Sequence, residues 1–201
     1  MGFIILVMAS CSDDDGITSI GGEQSPMGEV GARLETPARP FGVSNVNAEV
    51  VELNDGVSTF SGSARISNPV ITNILSNAPH VVIVDDEVHV TDIEVSVTTE
   101  GIKSVRGLLP GVIVQYDAQV GDTYPIPGKS GSREVTYRSE DNDYYWGGMY
   151  IRVIEVVEPT NSRGVKNTTY YANHRWGMVG IEFELDDGTM LDFPLDTRVK
   201  K

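Results

Sequence analysis

Residues 80–97, HVVIVDDEVHVTDIEVSV, decide the fold class. Two runs rich in Val and Ile flank three acidic residues, 85–87. β-branched side chains favour extended backbone, and a short polar segment between two such runs is typical of a turn, so the stretch predicts a β-hairpin. The apolar alternation changes phase between Val90 and Ile93, which predicts a β-bulge near Asp92.

The same two-residue period recurs along most of the chain. In two segments before the hairpin, the residues that share a face are Val46, Ala48 and Val50, and then Ser58, Phe60, Gly62, Ala64 and Ile66. Residues 144–158 are mostly apolar on both faces and predict one long central strand. Asp187 and Gly188 predict a tight turn between the last two strands. Only residues 68–77 have helical spacing, enough for one or two turns.

These patterns predict an all-β fold, either an antiparallel sandwich or a curved half-barrel of roughly ten strands, with very little helix. Helical segments do not alternate with the strands, which argues against a parallel α/β sheet. The sequence has no clean internal repeat, which argues against a propeller or a solenoid.

The chain divides into three predicted parts. Residues 1–10 are interpreted as the remnant of a signal peptide. Residues 11–42 are rich in Gly and Pro and poor in large apolar residues, which predicts a lipid-anchored flexible tether. An ordered strand within residues 27–34 is the alternative for part of that segment. Residues 43–201 carry the period-two pattern and are predicted to form a single all-β domain.

A short apolar run, residues 3–8, precedes the only cysteine of the chain, Cys11. The run is too short to span a bilayer, which takes about 20 apolar residues, but it has the length of a signal-peptide core. The motif MASC at residues 8–11 resembles the lipobox of bacterial lipoproteins. That resemblance implies cleavage before Cys11 and transfer of a diacylglycerol to its thiol.

Four residues after this cysteine, Ser12, Asp13, Asp14 and Asp15, resemble the export signal of Bacteroidota surface lipoproteins. The resemblance covers residues 3–16. It implies an outer-membrane protein that faces the cell exterior and is held by acyl chains such as palmitate on Cys11. Two or more acyl chains give stable membrane anchoring, which fits this route.

Composition excludes several functions. The chain has 15 Lys and Arg against 29 Asp and Glu, for a net charge of -14. Such a surface repels nucleic acid and anionic lipid headgroups, because both are bound through cationic side chains. With Cys11 used as an anchor, no cysteine is left for a disulfide, a zinc thiolate site or a nucleophile.

No catalytic or metal-binding motif stands out. Residues 121–130, GDTYPIPGKS, have the wrong spacing for a phosphate loop and two prolines where amide donors are needed. Residues 141–152 place Trp146 and Arg152 where an EF-hand needs Gly and Glu, although a looser calcium site using Asp141 and Asp143 stays open. We therefore predict no enzymatic activity, no cofactor and no metal.

Aromatic residues suggest a binding surface. Tyr144, Tyr145, Trp146 and Trp176 would form a platform for a sugar or a lipid if they stand exposed on one side of a sheet. The alternative is that these rings are half-buried packing residues. In addition, residues 170–189 resemble the closing hairpin of secreted half-barrel lipoproteins, which implies a curved sheet that can enclose an apolar ligand.

The sequence thus predicts a non-catalytic binding or structural module at the cell surface, with a glycan or a protein as partner. The alternative is a half-barrel carrier of an apolar or lipid ligand, and a hydrolase ranks third. A carrier needs a continuous apolar cavity of about 300–1,000 Å³, whereas a filled sandwich has none.

Overall fold

The structure is a computed structural model that describes residues 20–36, 42–76, 78–107, 109–160 and 164–199. The predicted signal-peptide remnant, the lipidation site Cys11 and the export signal at residues 12–15 lie outside the described residues. The fold is all-β, with 60% strand and 6% helix. A curled antiparallel sheet and further sheets form it, which confirms the predicted fold class.

The structure describes sixteen short strands, more than the roughly ten predicted. They are β1 (Arg33–Glu35), β2 (Val43–Asn54), β3 (Val57–Ile66), β4 (Val81–Val84), β5 (Glu87–Val97), β6 (Gly101–Arg106), β7 (Gly111–Gln115), β8 (Thr123–Pro125), β9 (Ser132–Arg138), β10 (Tyr144–Trp146), β11 (Met149–Ile151), β12 (Ile154–Pro159), β13 (Val165–Asn173), β14 (Gly177–Leu185), β15 (Met190–Pro194) and β16 (Asp196–Arg198). The helical elements among the described residues are α1 (Pro69–Leu75) and a single 3-10 turn, Pro26–Gly28.

The first sheet has the order β16-β1-β2-β3-β5-β6-β7, and β4 also pairs with β5. The second sheet has the order β15-β14-β13-β12-β9-β8, and β10 and β11 form a separate hairpin. The pairings between these strands are antiparallel. The curled first sheet packs its inner face against the second sheet, as in a sandwich or half-barrel.

The hairpin predicted at residues 80–97 is confirmed as β4 and β5. Asp85, in its turn, has φ 56°, a conformation that Asp tolerates better than most residues. The predicted bulge is also confirmed. Phe60 pairs with Ile93 but Gly62 pairs with Val90, so β5 has one more residue than β3 between these pairs. Asp92, inside the bulge, has φ 57°.

The single long strand predicted at residues 144–158 is wrong. Gly147 and Gly148 have φ 54° and φ 86°, and the chain reverses between β10 and β11. Two consecutive residues of positive φ make the kind of tight turn that Gly allows and other residues resist. Of the three strands that this stretch forms, only β12 lies in the interior of a sheet, between β9 and β13.

The predicted tether, residues 11–42, extends too far. Residues 20–36 belong to the folded domain, because β1 pairs with both β2 and β16 and the amide of Ser25 donates to Val97 O at 2.9 Å. Met27 and Ala32 are buried. The Gly and Pro residues of this part form turns between ordered pieces, so composition alone suggested more flexibility than the segment has.

The buried side chains form three clusters. The large core contains Val97, Ile102, Val112, Ile113, Val114, Tyr124, Val135, Ile154, Val156 and Tyr170, among others. A second core contains Val43, Ile66, Val88, Val165, Leu185, Leu191 and Phe193. A third and smaller cluster contains Trp146, Ile151, Val153 and Val179.

Candidate functional site

A partly open apolar cavity of about 360 Å³ lies along the inner face of the first sheet. Its walls take residues from both main cores. Phe60, Val97 and Met178 pack with the large core, whereas Ala64 and Val90 pack with the second core. The space between the two cores is therefore not filled by the protein's own side chains.

The floor of this cavity is one row of paired residues that crosses five strands. From β16 to β5, the row consists of Thr197, Leu34, Ala48, Gly62 and Val90. All five border the cavity. Ala48 and Gly62 lie in the middle of the row, and Ala64 lies beside them on β3, so the sheet presents almost no side-chain volume there. Small side chains at inward positions are the direct cause of the cavity.

Gly62 cannot readily be replaced by a larger residue. A Cβ atom at this position would lie 2.7 Å from the backbone oxygen of Asn47 and 3.1 Å from Cβ of Ala48. Backbone atoms cannot move aside as the end of a flexible side chain can. The close approach of β2 and β3 therefore requires Gly at this position. As a result, no side chain projects from the centre of the cavity floor.

The opposite wall comes from the second sheet and the segments next to it. Met178 and Ile181 of β14, together with Trp176 and Leu195, border the cavity from this side, and Leu75 of α1 borders it as well. The sandwich thus encloses the space between two apolar surfaces, although the chain leaves it partly open.

Among the described residues, one charged residue borders the cavity, and its charged group lies outside the apolar space. Arg33 borders the cavity, but its guanidinium bonds the carboxylate of Glu49 at 2.9 Å and its side chain is 50% exposed. Thr197 behaves differently, because its residue is 9% exposed and its Oγ1 has no hydrogen-bond partner among the described residues.

The other end of the large core holds a buried ion pair that sequence reasoning missed. Arg133 Nε lies 2.8 Å from Glu158 Oε2, and the two side chains are 0% and 3% exposed. Arg133 also donates to the backbone oxygens of Pro110 and Val112, and the hydroxyl of Tyr170 donates to Glu158 Oε2 at 2.9 Å. Burial, followed by the negative charge of Glu158, raises the pKa of Tyr170.

This buried network joins the two sheets. Arg133 lies on β9 of the second sheet and reaches carbonyl groups at and before β7 of the first sheet. The sequence feature that could have indicated this network is the two-residue spacing of Arg133 and Val135, which places both side chains on one face of β9. Because both charged side chains of the pair are buried, we interpret the network as structural.

The predicted aromatic platform does not form as a single exposed surface. Trp146 is 7% exposed, its Nε1 donates to Leu195 O at 2.7 Å, and its ring centroid lies 5.3 Å from that of Trp176. Tyr144 stacks on Tyr171, and burial raises the pKa of Tyr144 to about 12. These rings are packing residues, which was the alternative interpretation.

Tyr145 is the member of the predicted platform that faces solvent. It is 65% exposed and makes an edge contact, 5.3 Å between centroids, with Tyr150, which is 62% exposed. The two residues are cross-strand partners in the hairpin of β10 and β11. Trp176, which lies next to the small third core, instead borders the apolar cavity.

The looser calcium site gains no support from the geometry. Asp143 accepts hydrogen bonds from Ser139 and Tyr137, and these bonds lower its pKa. Among the described residues, no group of three or more His, Cys, Asp or Glu side chains is arranged to hold a metal ion. His174 borders a separate, more polar hollow of about 850 Å³ together with Arg138 and Arg152.

No family model, curated protein or solved structure matches this chain. Among the described residues, no helix combines the length and the apolar composition that crossing a membrane requires.

Proposed function

We propose that this protein is a non-catalytic binding module whose half-barrel cavity takes an apolar ligand. The observation that carries the proposal is the cavity of about 360 Å³ between the two main cores. Its volume falls within the range of about 300–1,000 Å³ that is usual for small-molecule sites. An apolar cavity of this size distinguishes a carrier from a sandwich whose interior is filled by side chains.

The physical reason is the chemistry of the cavity wall. Phe60, Ile93, Val95, Met178 and Ile181 border it. A cavity lined by such groups offers water too few hydrogen bonds, so it favours apolar guests. Each Å² of apolar ligand surface removed from water contributes about 25 cal/mol, before the cost of immobilising the ligand.

Binding can be measured with the neutral dye N-phenyl-1-naphthylamine, which fluoresces in apolar surroundings. We expect saturable binding to the full chain and loss of binding in Val90→Phe, because Val90 belongs to the cavity floor. Val51→Phe is the matched control, since Val51 is 52% exposed and does not border the cavity. Equal binding by wild type and both variants, or no binding by folded wild type, would contradict the proposal.

We also propose that the protein is a lipoprotein of the outer membrane, held through acylated Cys11 and facing the cell exterior. The support is the lipobox-like motif at residues 8–11 and the serine and aspartates at residues 12–15. Cys11→Ser should move the protein from the membrane fraction to the soluble fraction of cells that process lipoproteins. A variant that stays in the membrane fraction would refute the anchor.

The export signal has a separate test. Replacing Asp13, Asp14 and Asp15 together with Ala should keep the membrane anchor and remove surface exposure. The measurement is digestion of the protein by added protease on intact cells, compared with lysed cells. Unchanged digestion on intact cells would show that these aspartates do not direct export.

A second candidate function is recognition of a glycan or a protein partner by the hairpin of β10 and β11. The observation that favours it is the exposed pair Tyr145 and Tyr150. Exposed tyrosine rings can carry binding energy while adding little to fold stability. The double substitution Tyr145→Ala and Tyr150→Ala should abolish binding on a glycan array at an unchanged melting temperature. Glycan binding that survives the double substitution would locate the site elsewhere.

A further inference from the structure

We propose that the polar hollow of about 850 Å³ is a second binding site and that it takes a small hydroxylated carboxylate, such as an acidic sugar. Among the described residues, none borders both this hollow and the apolar cavity, so the site is distinct from that of the proposed function. The observation that carries the proposal is that arginines without an ion pair gather around the hollow.

Most of the described arginines in this acidic chain hold an Asp or Glu side chain. Those with an ion pair are Arg33, Arg65, Arg106, Arg133 and Arg198. The described arginines without one are Arg138, Arg152 and Arg175, and the first two border the hollow. Two unpaired arginines at one concave surface indicate a site for an anion, because a guanidinium binds a carboxylate through paired hydrogen bonds.

A β-bulge places Arg138 at the end of the large core. The register of β9 against β12 shifts by one residue between Glu155 and Val156. Without this shift, the alternation that follows the inward Val135 would turn Arg138 outward. With the shift, Arg138 pairs with Ile154, which is buried in the large core, and cross-strand partners point to the same face of a sheet. Arg138 therefore lies on the inward face, where the second sheet ends at the hollow.

Two carbonyl groups hold one nitrogen of Arg138 and leave the rest of its guanidinium unbonded. Nη1 donates to Tyr116 O at 3.0 Å and to Ala118 O at 2.5 Å, in the segment that follows β7. Nε and Nη2 have no partner among the described residues and, unlike Nη2 of Arg133, they are not closed off from solvent. Neutral carbonyl groups fix this side chain without cancelling its charge.

Arg152 supplies the second charge, from the segment between β11 and β12. It is exposed, and its backbone oxygen accepts from Asn173 Nδ2 at 2.6 Å, which fixes the position of the residue. Hydrogen bonds from Ser139 and Tyr137 and, to a smaller extent, the charge of Arg152 lower the pKa of Asp143. Asp143 uses both carboxylate oxygens for those bonds and forms no ion pair with Arg152.

The polar groups beside the two arginines select the class of ligand. Glu140 also borders the hollow, so the two guanidinium groups and this carboxylate leave one positive charge, which fits a ligand with one carboxylate. Glu140 and the amide oxygen of Gln119 accept hydrogen bonds, which hydroxyl groups can donate and a simple oxyanion cannot. Acids elsewhere on the chain act weakly here, because charges separated by water are largely screened beyond about 8 Å at physiological ionic strength.

The test compares three small probes by NMR titration of the isotope-labelled full chain. Glucuronate carries a carboxylate and hydroxyl groups, glucuronamide has the same hydroxyl groups with a neutral amide, and acetate has the carboxylate alone. Each probe is titrated into wild type, Arg152→Gln and Arg175→Gln, and the chemical shifts of the backbone amides and arginine Nε–H groups give the Kd. Arg175 is the matched control, because it is also exposed and without an ion pair among the described residues but does not border the hollow.

We expect wild type to bind glucuronate more tightly than glucuronamide or acetate, and added salt to weaken glucuronate binding. Arg152→Gln should weaken glucuronate binding about tenfold and leave glucuronamide binding unchanged. Arg175→Gln should match wild type. The comparison of the three probes on wild type holds even if a variant does not fold.

Four results would overturn the inference. If folded wild type shows no saturable binding of glucuronate, the hollow is not such a site. If glucuronamide binds as tightly as glucuronate, the arginine charges do not select the ligand. If acetate binds as tightly as glucuronate, the hollow is a general anion site that does not recognise hydroxyl groups. Equal effects of Arg152→Gln and Arg175→Gln would show that overall charge, and not the hollow, attracts the probe.

Discussion

The interior of the sandwich differs sharply between its two regions. Around β9, β12 and β13, Val135, Val156 and Tyr170 are 0–1% exposed and pack into one continuous core. On β2 and β3, the inward positions hold Ala48 and Gly62, and the space above them is a cavity of about 360 Å³. The two regions belong to one fold and have the same inward and outward alternation.

In this sandwich, the two regions share the same strand pattern but differ in the size of their inward side chains. Protein interiors normally pack as densely as organic crystals, so a gap of this size is unusual. The filled region also carries the buried pair of Arg133 and Glu158, and Arg133 joins the sheets through its bonds to Pro110 O and Val112 O. The filled region therefore has the dense packing that the hollow region lacks.

The first prediction concerns a substitution in the filled region. Glu158→Ala should lower the free energy of unfolding by about 3–5 kcal/mol, because it leaves the buried Arg133 guanidinium without its counter-charge. Urea-induced unfolding at neutral pH measures the loss. Lys129→Ala is the control, since Lys129 also lies near Glu158 but its side chain is 47% exposed. A loss below 1 kcal/mol for Glu158→Ala would show that the network does not stabilise the fold.

The second prediction concerns the small third core. Trp146→Ala should cost about 3–5 kcal/mol, because it removes a buried ring and its hydrogen bond to Leu195. Tyr145→Ala, one residue away and 65% exposed, should change stability by no more than about 0.5 kcal/mol. Thermal unfolding of both variants checks the contrast. Similar melting temperatures for the two would restore Trp146 as a member of an exposed platform.

The third prediction applies one substitution to both regions. Val156→Phe should destabilise the protein by about 1–3 kcal/mol or more, because Val156 is 0% exposed and has no space beside it. Val90→Phe should leave stability unchanged or raise it by about 0.5–2 kcal/mol, because the added ring enters the cavity. Urea-induced unfolding of both variants measures this difference in stability. Equal destabilisation would mean that the cavity is not space that a side chain can fill.

The fourth and smallest prediction concerns acids on the second sheet. Burial, then the charges of Asp192 and Glu155, raise the pKa of Glu182 in the folded protein. Its contribution to stability is therefore complete below the unfolded pKa of about 4.3 and is lost as the pH rises through the raised value. Glu182→Gln should raise the melting temperature by about 1–2 °C at pH 7, and this gain should disappear near pH 4.

Glu184 provides the opposite case on the same strand. Its bonds to Lys166 and Asn167 lower its pKa in the folded protein, so its stabilising contribution is present at neutral pH and is lost as the pH falls through the lowered value. Glu184→Gln should lower the melting temperature at pH 7. Shifts of the same sign for both variants would show that their different surroundings do not control the effect.

Much of the fold could be predicted from local pattern. The hairpin of β4 and β5, the bulge at Asp92, the turn at Asp187 and the short helix α1 all follow from residues that are neighbours in sequence. The grouping of Gly62 with Phe60 and Ala64 on one face of β3 was also predicted correctly. Signals of this kind are local because turn chemistry and alternation act within a few residues.

The rest depends on contacts between distant parts of the chain. The pattern places Ala48 on one face of its strand and Gly62 on one face of the next, but it could not say that these faces coincide or that the facing sheet would leave the space above them empty. In the same way, Arg133 shares a face with Val135, yet nothing near it in sequence identifies Glu158 as its partner. The membership of β1 in the first sheet was missed because its partners include β16, about 165 residues away.

That distant pairing controls when the cavity floor can form. The cavity floor needs Leu34 and Thr197 side by side, and long-range strand pairs form late because closing a long loop costs entropy before the contacts form. During synthesis, residues 33–35 emerge long before residues 196–198, so β1 cannot form this pair until β16 is available. The cavity floor is therefore complete only once β16 has docked on β1.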